Sequence, residues 1–162
     1  MSLRFCSIAS GSSGNSYLVR TDSTAILIDA GIPARRVAEG LVRAHTDPDE
    51  VGAILITHEH SDHISGAQAV ANRLDGASVF ASGGTWENAR SGRGTRLLIS
   101  EGRRESFAAG DRFTVGDIDV QTVPVSHDTP EPVGYVLTPA GGGCAGSGGA
   151  SGGAGSGVGG AG

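Results

Sequence analysis

The chain has 162 residues, 17 acidic and 12 basic side chains, a net charge of −5 and 38% hydrophobic residues, which allows one domain with a modest core. All twelve basic residues are arginine, and the acidic balance argues against a strongly basic nucleic-acid binder. No stretch has the length of a membrane span and the first residues lack a signal-peptide pattern, so the expected setting is cytoplasmic, without a membrane partner.

Residues 3–8 read as a first strand and Tyr17-Leu18-Val19 as a second. Between them, Ser10 to Ser16 is a Gly/Ser-rich turn. Gly11 and Gly14 suit a hairpin that needs positive φ. They also suit a loop close to substrate or metal, with Asn15 as a polar, substrate-binding contact. Residues 25–29 form a third strand ending at Asp29, which either stabilises the turn or holds a ligand histidine from behind by accepting its N–H. Residues 33–44 have apolar positions at 34, 37, 38 and 41, the face of a helix, with Pro33 in its first turn. His45, just past the helix end, is read as structural.

Residues 52–56 are a short apolar run of buried-strand type. They lead into Thr57-His58-Glu59-His60-Ser61-Asp62-His63, which holds three of the chain's five histidines. Apolar positions 67, 70, 71 and 74 follow at helical spacing, so the cluster occupies a strand-to-helix loop, where open α/β layers place ligand sites. Imidazole and carboxylate suit zinc-like divalent ions. His58 and His60, two apart, point to one side of an extended segment and can grip one ion. Asp62 and His63 diverge and suit a second ion beside it. Two ions about 3.5–4 Å apart would clamp a water and a substrate oxygen. Asp62 alone would also serve as a helix N-cap.

Residues 78–81 are a further strand, and residues 83–88 begin a short helix with Trp86 as a packing residue. Arg90, Arg93, Arg96, Arg103 and Arg104 gather next, as a loose basic surface or as a phosphate-backbone contact. Residues 107–115 and 118–125 read as strands around Gly110-Asp111 and Gly116-Asp117. His127 follows the second of these and completes the three-histidine set with His58 and His60. Residues 133–137 are the last apolar strand. Residues 1–140 form the expected domain. Residues 141–162 hold 13 glycines with Ala, Ser, one Val and one Cys, and are expected to be a disordered tail. A disulfide between Cys6 and Cys144 is not expected.

The His-x-His-x-Asp-His run resembles the signature of the metallo-β-lactamase superfamily. Ser7 to Ser16, Leu27-Ile28-Asp29-Ala30-Gly31 and Val123-Pro124-Val125-Ser126-His127-Asp128 resemble its YycJ/WalJ-like branch, described as metal-dependent nucleases. The similarity runs to about Thr138. It implies an α+β, four-layer αββα fold with two divalent ions, Zn or Mn, held by His58, His60, Asp62, His63 and His127, with Asp62 also catalytic. It places Asp29 behind a ligand histidine. The implied function is hydrolysis of phosphodiesters, an exonuclease acting on DNA through a metal-bound hydroxide. The family also carries a later bridging aspartate and a later histidine, whereas the last acidic residue here is Glu131 and the last histidine is His127. The chain therefore reads as the first half of the fold and a few strands more. The expectation is one tightly held ion, impaired catalysis, and a first sheet with an uncovered apolar face and an unpaired edge. The alternatives are a non-catalytic metal-binding remnant and a thioester or lactone hydrolase.

Overall fold

The computed structural model describes residues 2–90 and 95–141. Its elements follow in the order β1 (Arg4–Ala9), β2 (Ser16–Arg20), β3 (Ala25–Ile28), α1 (Ala34–Arg43), β4 (Val51–Leu55), α2 (Ser61–Ile64), α3 (Ala67–Ala71), β5 (Ser78–Ser82), α4 (Gly83–Arg90), β6 (Arg104–Phe107), β7 (Arg112–Val115), β8 (Ile118–Pro124) and β9 (Val133–Pro139). Among the described residues, β1 to β6 make one sheet in chain order, and β7, β8 and β9 make a second. The larger sheet is antiparallel from β1 to β3 and parallel from β3 to β6. Parallel pairing requires crossovers, and α1 and α3 supply two of them.

The apolar runs at β3 and β4 are buried on both faces because each face has its own cover. On one side, Leu27 and Ile54 pack with Val37 and Leu41 of α1, Val70 of α3 and Trp86 of α4. On the other, Ile26, Ala53 and Leu55 meet Val115, Ile118 and Val120 of the smaller sheet. Among the described residues the layers are thus helices, large sheet and small sheet, three of the four expected. The expectation of an uncovered apolar face is corrected here. The three-stranded sheet covers the middle of the large one, and exposure is concentrated at its β1 edge, where Phe5 is 66% exposed and stacks on Tyr17.

The segment 107–115 is not one strand. It breaks at a turn where Asp111 Oδ2 accepts the Ala108 N–H (2.8 Å) and Gly110 has φ +99°. The chain changes sheets there, β6 lying beside β5 and β7 beside β8. Likewise the helix expected after the motif is two short ones, α2 and α3, broken at Ser65-Gly66. Gly66 lies so close to the Ile32 carbonyl that a Cβ would collide, so the chain turns where only glycine fits. Pro33 stands at the cap of α1. The tail from residue 142 onward, Arg93 and Cys144 lie outside the described residues. No described helix is long and apolar enough to cross a membrane.

Candidate metal centre

Two strand ends deliver the site. β4 of the large sheet runs into His58, His60, Asp62 and His63, and β8 of the small sheet runs into His127. The sheets are latched at that point. Val133 N–H donates to the Thr57 carbonyl (3.0 Å), and the Tyr135 hydroxyl donates to the Ile56 carbonyl (2.6 Å). Burial raises the Tyr135 phenol well above its ordinary value, with the Asp29 charge adding to it, so this donor keeps its proton.

Three loops are then knitted backbone to backbone. Asn15 N–H donates to the Asp62 carbonyl (2.7 Å), Ala30 N–H to His63 (2.8 Å), Gly31 N–H to Asn15 (2.9 Å) and Gly66 N–H to Ala30 (2.8 Å). Gly31 lies against the Asp62 carbonyl so closely that no Cβ fits, and a Cβ on Gly14 would strike the Gly31 carbonyl. These are close approaches that require glycine. They explain why Ser10 to Ser16 and Leu27 to Gly31 matter to a site made mostly of other residues.

His58, His60 and His127 converge. One ring nitrogen from each lies within 4.8 Å of the other two, and the ring centroids stand 4.6 to 4.8 Å apart. His58 is 7% exposed, and its Nε2 is buried without a hydrogen-bond partner. Its Nδ1 contacts Thr57 Oγ1 (3.0 Å), while that hydroxyl lies 2.9 and 3.0 Å from the two Asp29 oxygens. A hydroxyl has one proton, and the carboxylate takes it. Thr57 is then left to accept from His58 Nδ1–H, which puts the lone pair of His58 on Nε2, facing the cluster. Burial, followed by the charges of His63, His60 and His127, lowers the His58 pKa from 6.5 to about 4. His58 is therefore a neutral imidazole with a free lone pair, the form a metal takes.

Asp62 and His63 stand beside this group. Asp62 Oδ2 is 3.4 Å from His63 Nε2, so the two side chains converge, where their adjacency suggested divergence. The His63 ring is 4.1 Å from that of His58. His63 Nδ1 lies 2.7 Å from Asp29 Oδ2. Burial works to lower the His63 pKa, but the Asp29 hydrogen bond and the charges of Asp29 and Asp62 outweigh it and leave it raised. Asp29 itself is 1% exposed, and burial raises its carboxyl against the opposing pull of His63 and Thr57. Its backbone has φ +59°, a left-handed conformation that aspartate tolerates.

Asn15 is 8% exposed. Its amide N–H donates to Gly11 O (3.2 Å) and Asp62 Oδ2 (3.2 Å), and its oxygen accepts from Gly11 N–H (3.1 Å). The side chain expected to meet substrate is thus committed to the loop and to Asp62. His45 lies at the end of α1 with φ +50°, its carbonyl accepting from Arg20 (2.7 Å). Of the arginines read as a basic surface, Arg103 donates to the carbonyls of Ala71 and Ala77, and Arg104 lies 5.4 Å above the Trp86 ring. Both are structural, which corrects the phosphate-contact reading for them. Trp86 is buried and donates to Glu105 O (3.1 Å). Sequence reasoning passed over Thr57 and Asp128, although both sit inside the quoted motifs. Asp128 Oδ1 lies 3.1 Å from His127 Nδ1 and 3.6 Å from His60 Nε2.

A strand-end cluster of three histidines between stacked sheets is a group that could hold a metal ion, and comparison names the class. The metallo-beta-lactamase superfamily profile matches residues 9–155, so this chain belongs to that superfamily. It is 38% identical over 137 residues to exodeoxyribonuclease YycJ of Bacillus anthracis, covering 85% of this chain and 50% of that protein. It is 36% identical over 132 residues to exodeoxyribonuclease WalJ of Streptococcus pneumoniae, covering 82% and 48%. Among solved structures, a B3 metallo-beta-lactamase with an active-site glutamic acid superposes with a TM-score of 0.69 at 22% identity, covering 82% of this chain and 53% of that one. The fold is a partial metallo-β-lactamase fold, and the chain spans about half the length of the curated relatives it matches.

Proposed function

We propose that this chain carries the metal-binding half of a hydrolase that cleaves phosphodiesters, acting as an exonuclease on DNA. The observation that carries the reading is the convergence of His58, His60 and His127 around a buried, unpartnered Nε2. Around a tetrahedral zinc with bonds of about 2.0–2.1 Å, imidazole nitrogens stand about 3.4 Å apart. Small side-chain rotations bring the three histidines to that spacing, so the residues present fit a divalent ion, zinc or manganese.

In this reading His58, His60 and His127 would hold one ion, and Asp62 and His63 would be the ligands available to a second. Divalent ions supply Lewis acidity at a phosphoryl oxygen and make water a nucleophile at neutral pH. The protein's own groups do the rest. Asp29 fixes the ring of His63 through Nδ1 and so aims Nε2 at Asp62. Thr57 fixes the tautomer of His58. Asn15 fixes the Asp62 carboxylate, which is poised to take a proton from an attacking water. The nuclease-named relatives support DNA as substrate class. With only Asp62 and His63 at the second position among the described residues, the chain is expected to hold one ion tightly and to turn over slowly, in the cytoplasm.

The test is metal content and DNA cleavage of the 162-residue chain after removal of loosely bound metal. One ion per chain, with slow cleavage abolished by chelator, is the expected result. No metal uptake would sink the metal reading, while metal uptake with thioester but not DNA hydrolysis would sink the substrate reading.

A further inference from the structure

Between His58 and His60 stands Glu59, an acid buried to 8% exposure. In an extended segment it must point opposite its neighbours, and it does. Its Oε2 accepts from the Thr85 hydroxyl (3.3 Å) and its Oε1 from Asn88, both on α4. Four residues after His127, Glu131 reaches the same helix from the other sheet. Its Oε2 accepts from Gly84 N–H (2.8 Å), and its backbone carbonyl accepts from Ser82 Oγ (2.7 Å). Ser82 Oγ accepts in turn from Thr85 N–H (3.2 Å). A continuous polar path therefore runs from Glu59 through Thr85 and Ser82 to Glu131.

We propose that α4 is a brace setting the separation of the two histidine-bearing loops, with Glu59 and Glu131 as its positioning residues. The proposal rests on the reading that His58, His60 and His127 hold a metal ion. The latch through Val133 and Tyr135 fixes the strand ends, but both bonds lie before His58 or after Glu131 in the chain. Nothing in that latch sets how far the loop tips stand apart. The brace does, because hydrogen bonds to a carboxylate, buried at Glu59 and half-buried at Glu131, are among the stronger ones. Residues that orient ligands without touching the metal typically govern affinity by about 10–100-fold.

Zinc affinity of the full 162-residue chain, measured by competition with a chromophoric chelator beside the thermal midpoint of the metal-free protein, tests this. Glu59→Ala and Glu131→Ala should each weaken zinc binding by about 10–100-fold. Glu59→Gln should stay within about threefold of wild type, since an amide can still accept from Asn88 and can donate to the Thr85 hydroxyl. The double alanine variant should lose little more than the worse single one, because both side chains act on the same short helix and each loss loosens it for the other. Ser82→Ala, which removes only a hydroxyl, should weaken zinc several-fold and answers the question even if the glutamate variants fail to fold. Unchanged zinc affinity in Ser82→Ala and in every alanine variant that folds would overturn the brace, whatever happens to the thermal midpoint. So would a Glu59→Gln variant as weak as Glu59→Ala. A wild-type chain that takes up no zinc removes the metal reading and the brace with it.

Discussion

Asp29 shows how one side chain organises several others. Its carboxyl accepts from Thr57 N–H (2.9 Å), the Thr57 hydroxyl and His63 Nδ1, all in a buried setting. Asp29→Ala leaves a buried amide and an imidazole unpartnered, at a cost of about 1–3 kcal/mol for each donor so exposed, and chemical denaturation should register a loss of that order. A variant as stable as wild type would mean water replaces the carboxylate fully. His58 gives a pH signature of definite sign in the metal-free chain. Folded, it takes its proton only near pH 4, and unfolded near 6.5. Between those values the unfolded chain binds more protons, so the His58 contribution to stability falls as pH drops from 6.5 towards 4. His63 runs the other way. Its raised pKa gives a contribution fully present below 6.5 and lost as pH rises through the folded value. Imidazole resonances followed by NMR should titrate on opposite sides of 6.5, and two ordinary titrations would contradict the geometry.

Among the elements, α1 and the glycine contacts carry the clearest consequences. Gly40 sits mid-helix, where glycine is ordinarily unfavourable by about 0.5–1 kcal/mol against alanine. Its place would put a Cβ 2.7 Å from Ile8 Cγ2 of β1. Gly40→Ala should therefore destabilise by about 1–3 kcal/mol through overpacking, against the helix-propensity trend. A stabilised variant would show that β1 gives way. Gly31→Ala should do more damage to metal affinity than to helix content, because its Cβ meets the Asp62 backbone; circular dichroism and zinc titration separate the two. The elements themselves were legible in the sequence wherever one periodicity ran uninterrupted. The α1 face at 34, 37, 38 and 41 and the apolar run of β4 are examples. The run from 107 to 115 was not, since a strand that changes sheets keeps its alternation on both sides of the break. Ligand-type clustering made the histidines legible. The work of Thr57, Glu59 and Glu131 was not, because each acts through partners distant in sequence, such as Asp29, Thr85 and Gly84.

At the scale of the whole molecule, a metal joining His60 to His127 would close a long loop and bind only the folded chain. With the free ion at 100 times its Kd, stability should rise by about 2.7 kcal/mol, visible as a metal-dependent thermal midpoint that chelator reverses. A midpoint indifferent to metal would leave the histidines without a ligand. The latch between the sheets carries this further. Val133 N–H and the Tyr135 hydroxyl hold β9 of the small sheet to Ile56 and Thr57, just past the end of β4, so the base of the His127 loop cannot part from the large sheet while they hold. Release of a bound ion and exchange of the Val133 amide with deuterated solvent should then share one opening event. Their rates should rise and fall together with temperature, and the lifetime of the ion on the protein becomes a measure of how often the two sheets part.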